Sequence, residues 1–178
     1  MKLSRLFAAS TLLALAAAAG ATALRQAPVT PTEEHKWLAS QVGTWDTKVS
    51  MMGAESKGSW EDKPGPGGLW TVGDFKGDMM GAPFHGMEFM GYDPDAKKFT
   101  STWIDSWTPR PTVSTGTYDK ASKTLTMKGE TMGPDGKMAP ITNTSRYTDA
   151  DHMTFTMSGP GPDGKDMEMM KIEYTRRK

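Results

Sequence analysis

From Thr44 onward, apolar or Thr positions alternate with polar ones, and turn residues interrupt the alternation every eight to twelve positions. That period is the signature of antiparallel strands in a sandwich or barrel. Strands are predicted over 44–52, 55–62, 68–77, 84–92, 98–106, 111–118, 124–130, 141–148, 152–159 and 166–176. Strands in succession with short links predict an up-and-down meander. A meander of this length avoids open edges most simply by closing into an antiparallel barrel of eight to ten strands. Such a barrel has room for one small ligand. Only one short helix is predicted, with Thr32 as N-cap, Glu33 and Glu34 in its first turn, Trp37, Leu38 and Val42 on one side, and Gly43 as its end.

The links carry their own signals. Gly133-Pro134-Asp135-Gly136-Lys137 and Gly161-Pro162-Asp163-Gly164-Lys165 are near copies. In each, Pro presets a turn and Gly accepts the left-handed conformation that closes a hairpin. No helix follows either segment, so they are turns and not phosphate cradles. Tyr92-Asp93-Pro94-Asp95 and Tyr118-Asp119-Lys120-Ala121-Ser122-Lys123 read as further hairpin ends, and Gly65-Pro66-Gly67-Gly68 as a longer corner.

Ahead of the strands lies a segment of another kind. Residues 1–23 combine Lys2 and Arg5, an apolar run from Leu6 to Ala19 and the triplet Ala21-Thr22-Ala23, the layout of a secretory signal peptide. Cleavage after Ala23 is expected, then a flexible lead-in over 24–34 and the barrel domain over 35–178. The apolar run is short of the ~20 residues that span a bilayer, so no membrane anchor is expected after cleavage, and the mature protein is expected to be periplasmic or secreted. No Cys follows the run to carry a lipid, and no Arg pair precedes it. Asn143-Thr144-Ser145 matches a glycosylation acceptor, which matters only in a eukaryotic secretory route.

Composition then changes meaning. The whole chain balances 21 basic against 21 acidic side chains, but without the signal 19 basic face 21 acidic in 155 residues. This mild acidity speaks against a nucleic-acid partner held by a basic face, and none is expected. Leu, Ile, Val and Phe number only 17 of those 155, against 14 Met, 6 Trp and 4 Tyr. The interior must therefore be built from Met and aromatic rings. The absence of Cys excludes disulfides, thiol catalysis and thiolate metal sites.

Several stretches, taken in order, resemble a known family. They are His35…Leu38…Val42-Gly43-Thr44-Trp45-Asp46, Phe75-Lys76-Gly77-Asp78-Met79-Met80-Gly81-Ala82-Pro83-Phe84, Met90-Gly91-Tyr92-Asp93, Ser101-Thr102-Trp103-Ile104-Asp105, Gly116-Thr117-Tyr118-Asp119, Leu125-Thr126-Met127-Lys128-Gly129-Glu130 and Ile172-Glu173-Tyr174-Thr175. From about His35 to Arg177 the chain resembles the DUF1579 family of uncharacterised bacterial proteins. That family is grouped with calycin-like barrels such as lipocalins and fatty-acid-binding proteins. The resemblance implies a barrel, and neither a reaction nor catalytic residues. Glu88 stands where the family leads one to expect a small residue and His85 where it leads one to expect an acid, so a pocket near them would differ. Gly43 and Trp45 also resemble the lipocalin signature, in which a first-strand Trp closes one barrel end beneath an Arg of the last strand, a part open to Arg176.

Three kinds of chemistry remain to be weighed. Met79-Met80, Met87-x-x-Met90 and Met167-x-Met169-Met170 could hold copper(I) through thioethers, although Met alternating on strands is first of all core or cavity lining. His35, His85 and His152 form no zinc-like pair. A haem alternative, from calycin-like relatives that resemble nitrobindin, would rest on His152, whose turn setting suits a solvated side chain. Catalysis would need paired carboxylates or a nucleophile beside a base. Ser101, Trp103 and Asp105 share one strand face, and Thr102 and Ile104 the other. With Trp103 inward, Asp105 lies near a barrel mouth, and Glu88 or Glu130 could add buried polar groups. No triad and no cofactor fingerprint stands out, so no cofactor is expected. The expectation is binding of a small, partly apolar ligand in a cavity lined by Trp70, Phe75, Met87, Phe89, Trp103, Asp105, Tyr118, Met157 and Met169. A packed barrel acting as an envelope interaction module is the alternative, and an enzyme comes third.

Overall fold

A computed structural model describes residues 29–178 apart from Pro134 and Pro162. The segment expected to be a secretory signal and the first part of the expected lead-in lie outside the described residues. One helix, α1 (Glu33–Ser40), precedes ten strands: β1 (Gly43–Met51), β2 (Ala54–Pro64), β3 (Trp70–Met79), β4 (Ala82–Asp93), β5 (Lys98–Asp105), β6 (Thr112–Asp119), β7 (Thr124–Met132), β8 (Met138–Tyr147), β9 (His152–Pro160) and β10 (Asp166–Arg176). Each strand pairs antiparallel with its sequence neighbours, and β1 pairs with β10, so the meander closes as a ten-strand barrel without edges. Among the described residues no helix is long and apolar enough to cross a membrane.

The turns explain the registers. β1–β2 and β3–β4 are joined by Met52-Gly53 and Met80-Gly81, with φ of 49° and 82° and of 51° and 81°. Two consecutive left-handed residues make the tight hairpin whose twist matches the strands, so the strands run right up to these pairs. In the two near-copy turns, Gly133 N–H donates to the Lys137 carbonyl at 2.8 Å and Gly161 N–H to the Lys165 carbonyl at 2.7 Å. The first of these tight turns lets β8 start at Met138, three residues earlier than the alternation suggests. At the other end, the carboxylates of Asp93 and Asp119 accept backbone N–H groups of Asp95 and Ala121.

The helix closes that same end. Thr32 N–H donates to His35 Nδ1 at 3.0 Å, fixing the first turn. Leu38 packs with Phe99, Leu125 and Met127, and Trp37 stacks on Tyr118 at 4.2 Å. A second apolar cluster, built around Trp45, Val49, Phe75, Met79, Phe84, Ile172 and Tyr174, runs from the closed end along β1, β3, β4 and β10 toward the opposite mouth.

Candidate functional site

Burial identifies the inward faces. On β3 these are Thr71, Gly73, Phe75, Gly77 and Met79, and on β4, in register with them, Phe84, Gly86, Glu88 and Met90. Two of the inward glycines make room for indoles. A Cβ at Gly73 would lie 1.9 Å from the Trp60 ring, and one at Gly86 would lie 2.1 Å from the Trp103 ring. The two indoles are nearly parallel, 6.5 Å apart, with Phe84 stacked beyond Trp103 at 6.3 Å. Small residues under large rings thus build an aromatic layer across the barrel.

The interior is unevenly filled. Val49 and Phe75 are 1% exposed, whereas Trp60, Trp103, Met153, Phe155 and Met170 pack on the same cluster yet stay half-buried. These side chains point toward the barrel axis, so their remaining surface belongs to the lumen. Met157, facing Asn143 and Met170 in register, shares that state.

Between the two apolar clusters sits a polar belt. Asp62, Gly73, Glu88 and Trp103 follow one another in register across four strands. Asp62 is 8% exposed, and its Oδ1 has no hydrogen-bond partner among the described residues. Removal from water, reinforced by the Glu88 charge, pushes its carboxyl up to about 7, against the pull of Thr71, the Lys63 N–H and Arg176. Desolvation likewise raises Glu88, whose carboxylate accepts the Ser101 hydroxyl. The phenols of Tyr147, in the helix-side cluster, and Tyr174, in the second cluster, are held protonated by burial and by the Glu88 charge. The carboxyls therefore lie where the clusters meet.

The residues expected to line a cavity divide sharply. Phe75, Trp103, Tyr118 and Met157 face inward; Phe75 is packed solid, and Tyr118 supports the helix. Met169 lies at a bulge in β10, its Sδ 3.0 Å from where a Gly159 Cβ would be. Asp105 sits at the mouth, accepting Trp103 Nε1–H and the Trp107 and Thr108 N–H groups at 2.8 Å each, so it shapes a turn. Trp70, Met87 and Phe89 are corrections. They lie on the outer wall, where Trp70 is 42% and Phe89 41% exposed, and Met87 faces the exposed Ile104. Trp70 covers Gly91 from outside. Glu130 is also on the outer wall, opposite Val113, whereas Glu88 is inside.

The remaining candidates are scattered. The Met groups are split by strand alternation: Met79 is buried and Met80 exposed, and Met87 and Met90 face opposite sides. His152 is exposed with Nδ1 2.9 Å from Asp149, and His85 lies on the outer wall 3.3 Å from Asp74. Among the described residues no three His, Asp or Glu side chains are gathered as metal ligands would be.

The closing end has a defined geometry. The Arg176 guanidinium lies 3.9 Å over the Trp45 ring and donates to the carbonyls of Val42, Ala150 and Ser40 at 2.7, 3.0 and 3.3 Å. Gly43, at φ 148°, leaves it room: a Cβ there would be 2.4 Å from Nη1.

The mouth is different. Each of its hairpins carries an exposed apolar side chain at or beside the turn: Met52, Met80, Trp107, Met138 and Met167. The hairpins beside the helix, Pro94–Lys97, Lys120–Lys123 and Thr148–Asp151, carry no Met or ring, although Trp70 is exposed where the β2–β3 corner enters β3. A groove of about 690 Å³ on the outer wall is lined by Lys123, Arg146, Lys171 and threonines of β7, β8 and β9.

A family model described as "Protein of unknown function (DUF1579)" matches residues 30–176. Among solved structures, "Crystal Structure of Rv2717c from M. tuberculosis" aligns at TM-score 0.61 and 10% identity, over 84% of this chain and all of that one. A redesigned β-barrel, b11L5F_LGL, aligns at TM-score 0.40 and 14% identity, over 79% of this chain and 95% of that one. No curated protein sequence matches the chain. At such identity the likeness to Rv2717c is one of fold.

Proposed function

The chain belongs to the DUF1579 family, and from that premise we propose that it is an exported, non-enzymatic barrel that binds a small, partly apolar ligand in its lumen. One observation carries this reading. Trp60, Trp103, Met153, Phe155 and Met170 point inward yet keep accessible surface, while the wall around Val49 and Phe75 is closed. Rings and thioethers around a few convergent polar groups are the usual make-up of a small-molecule site. Met adapts its shape to a bound partner at little cost. The exposed Met and Trp side chains at the mouth offer an apolar ligand its first contacts.

Native mass spectrometry of protein purified from its own host tests this. A bound small molecule, released by denaturation and displaceable by the neutral dye N-phenyl-1-naphthylamine, is expected. A chain always free of ligand and unable to take up the dye would overturn the reading and favour the packed interaction module. Export is supported by the layout of Met1–Ala23. Terminal sequencing of protein from the host's periplasm or medium is expected to start at Leu24, and intact Met1 on a cytoplasmic protein would refute export.

A further inference from the structure

The carboxyl pair inside the barrel makes the ligand's chemistry more specific. Asp62 and Glu88 face the same Gly73 from either side, and the Trp60 indole lies over that glycine. Each carboxyl is served by neutral donors, Thr71 and the Lys63 N–H for Asp62 and Ser101 for Glu88, and Asp62 Oδ1 is left with none among the described residues. Arg176, the cation whose charge reaches Asp62, is engaged with Trp45 and with main-chain carbonyls. Buried carboxyls without a counter-cation are costly, and no packing role accounts for two of them beneath the half-buried rings of Trp60 and Trp103. An anionic head would be repelled here. A neutral hydroxyl would satisfy Asp62 Oδ1 but leave the paired charge uncompensated. A protonated amine would supply several donors, the missing charge and a partner for the indole faces of Trp60 and Trp103.

We propose that the lumen takes an amphiphile headed by a protonated amine, its ammonium between Asp62 and Glu88 and its apolar body toward the Met-lined mouth. This rests on the ligand-binding reading above and deepens it. The test compares octylamine, octanol and octanoate, matched in chain length, by tryptophan fluorescence and calorimetry at pH 7.5. Octylamine is expected to bind at least tenfold more tightly than octanol, with octanoate weakest. Asp62→Asn and Glu88→Gln should each weaken octylamine at least tenfold and weaken octanol, which carries no charge to be matched, by much less than that. Both changes remove buried charge, so folding should persist, and circular dichroism checks it. Equal affinity for all three compounds, or variants that bind the amine as the parent does, would overturn the amine preference and leave the lumen site standing. Failure of all three to bind, together with exclusion of N-phenyl-1-naphthylamine, would overturn both.

Discussion

At the level of single residues, Asp62 ties stability to pH. Its unfolded carboxyl titrates near the ordinary 3.8, its folded one at about 7. Below ~4 both states are protonated and folding carries no penalty from this group. Between the two values the folded state holds a proton that the unfolded state has lost, so stability falls as pH rises through about 7. The facing groups are Glu88, Arg176 and the Tyr147 phenol; Glu88, also raised, acts in the same direction. Asp62→Asn should flatten this slope and, at pH 8, unfold at higher denaturant than the parent by an amount worth a few kcal/mol. Urea midpoints at pH 5 and pH 8 check it, and a parent with equal midpoints would refute it. Gly73 makes the complementary case for shape. An added Cβ would fall 1.9 Å from the Trp60 ring, so Gly73→Ala should displace the indole and destabilise by about 1–3 kcal/mol, visible as a changed tryptophan emission maximum and a lower melting temperature.

Among the elements, the tight hairpins at the mouth are the informative ones. Met52 and Met80 occupy left-handed positions that Asn, Asp or Gly would fill with less strain. Met52→Asn and Met80→Asn should each stabilise by roughly 0.5–1 kcal/mol, read from urea midpoints. If the Met side chains guide the ligand inward, the same variants should take up N-phenyl-1-naphthylamine more slowly in stopped-flow mixing. The strands were legible in the sequence because alternation and turn chemistry agree in nearly every hairpin. Their facing was not. In β3 and β4 the inward positions include Gly73, Gly77 and Gly86 beside Phe75 and Phe84, while Trp70, Met87 and Phe89 lie outside, so side-chain size alone does not tell one face from the other. The glycines make sense only with Trp60 and Trp103 reaching across from neighbouring strands, a pairing that depends on register. Spacing two glycines apart along one strand face was the available signal. Glu88 could be marked from the sequence as out of place, but its partner Asp62 could not, because their alignment through Gly73 exists only once β2, β3 and β4 are in register.

For the whole molecule, closure is the event on which everything else depends. Nine of the ten strand pairings join sequence neighbours and form from local hairpins, whereas β1–β10 joins the two ends of the domain. Such a contact carries a large loop-closure cost and needs a specific clasp. Arg176 fits that role: its guanidinium covers Trp45 on β1 and ties β10 to the Val42 and Ser40 carbonyls after α1 and to Ala150 in the β8–β9 turn. One side chain thus fastens the first strand, the last strand and the helix. Lys would keep the charge but lacks the planar fork that stacks and donates in several directions at once. Arg176→Lys should therefore lose most of what Arg176→Ala loses, about 2–4 kcal/mol given charged hydrogen bonds and a buried stacking contact removed together. Amide hydrogen exchange should locate the loss, with protection falling first along β1 and β10 and least in β6 and β7. Uniform loss across all strands, or full rescue by Lys, would show that the barrel is closed by its sheet pairing alone and that the clasp is incidental.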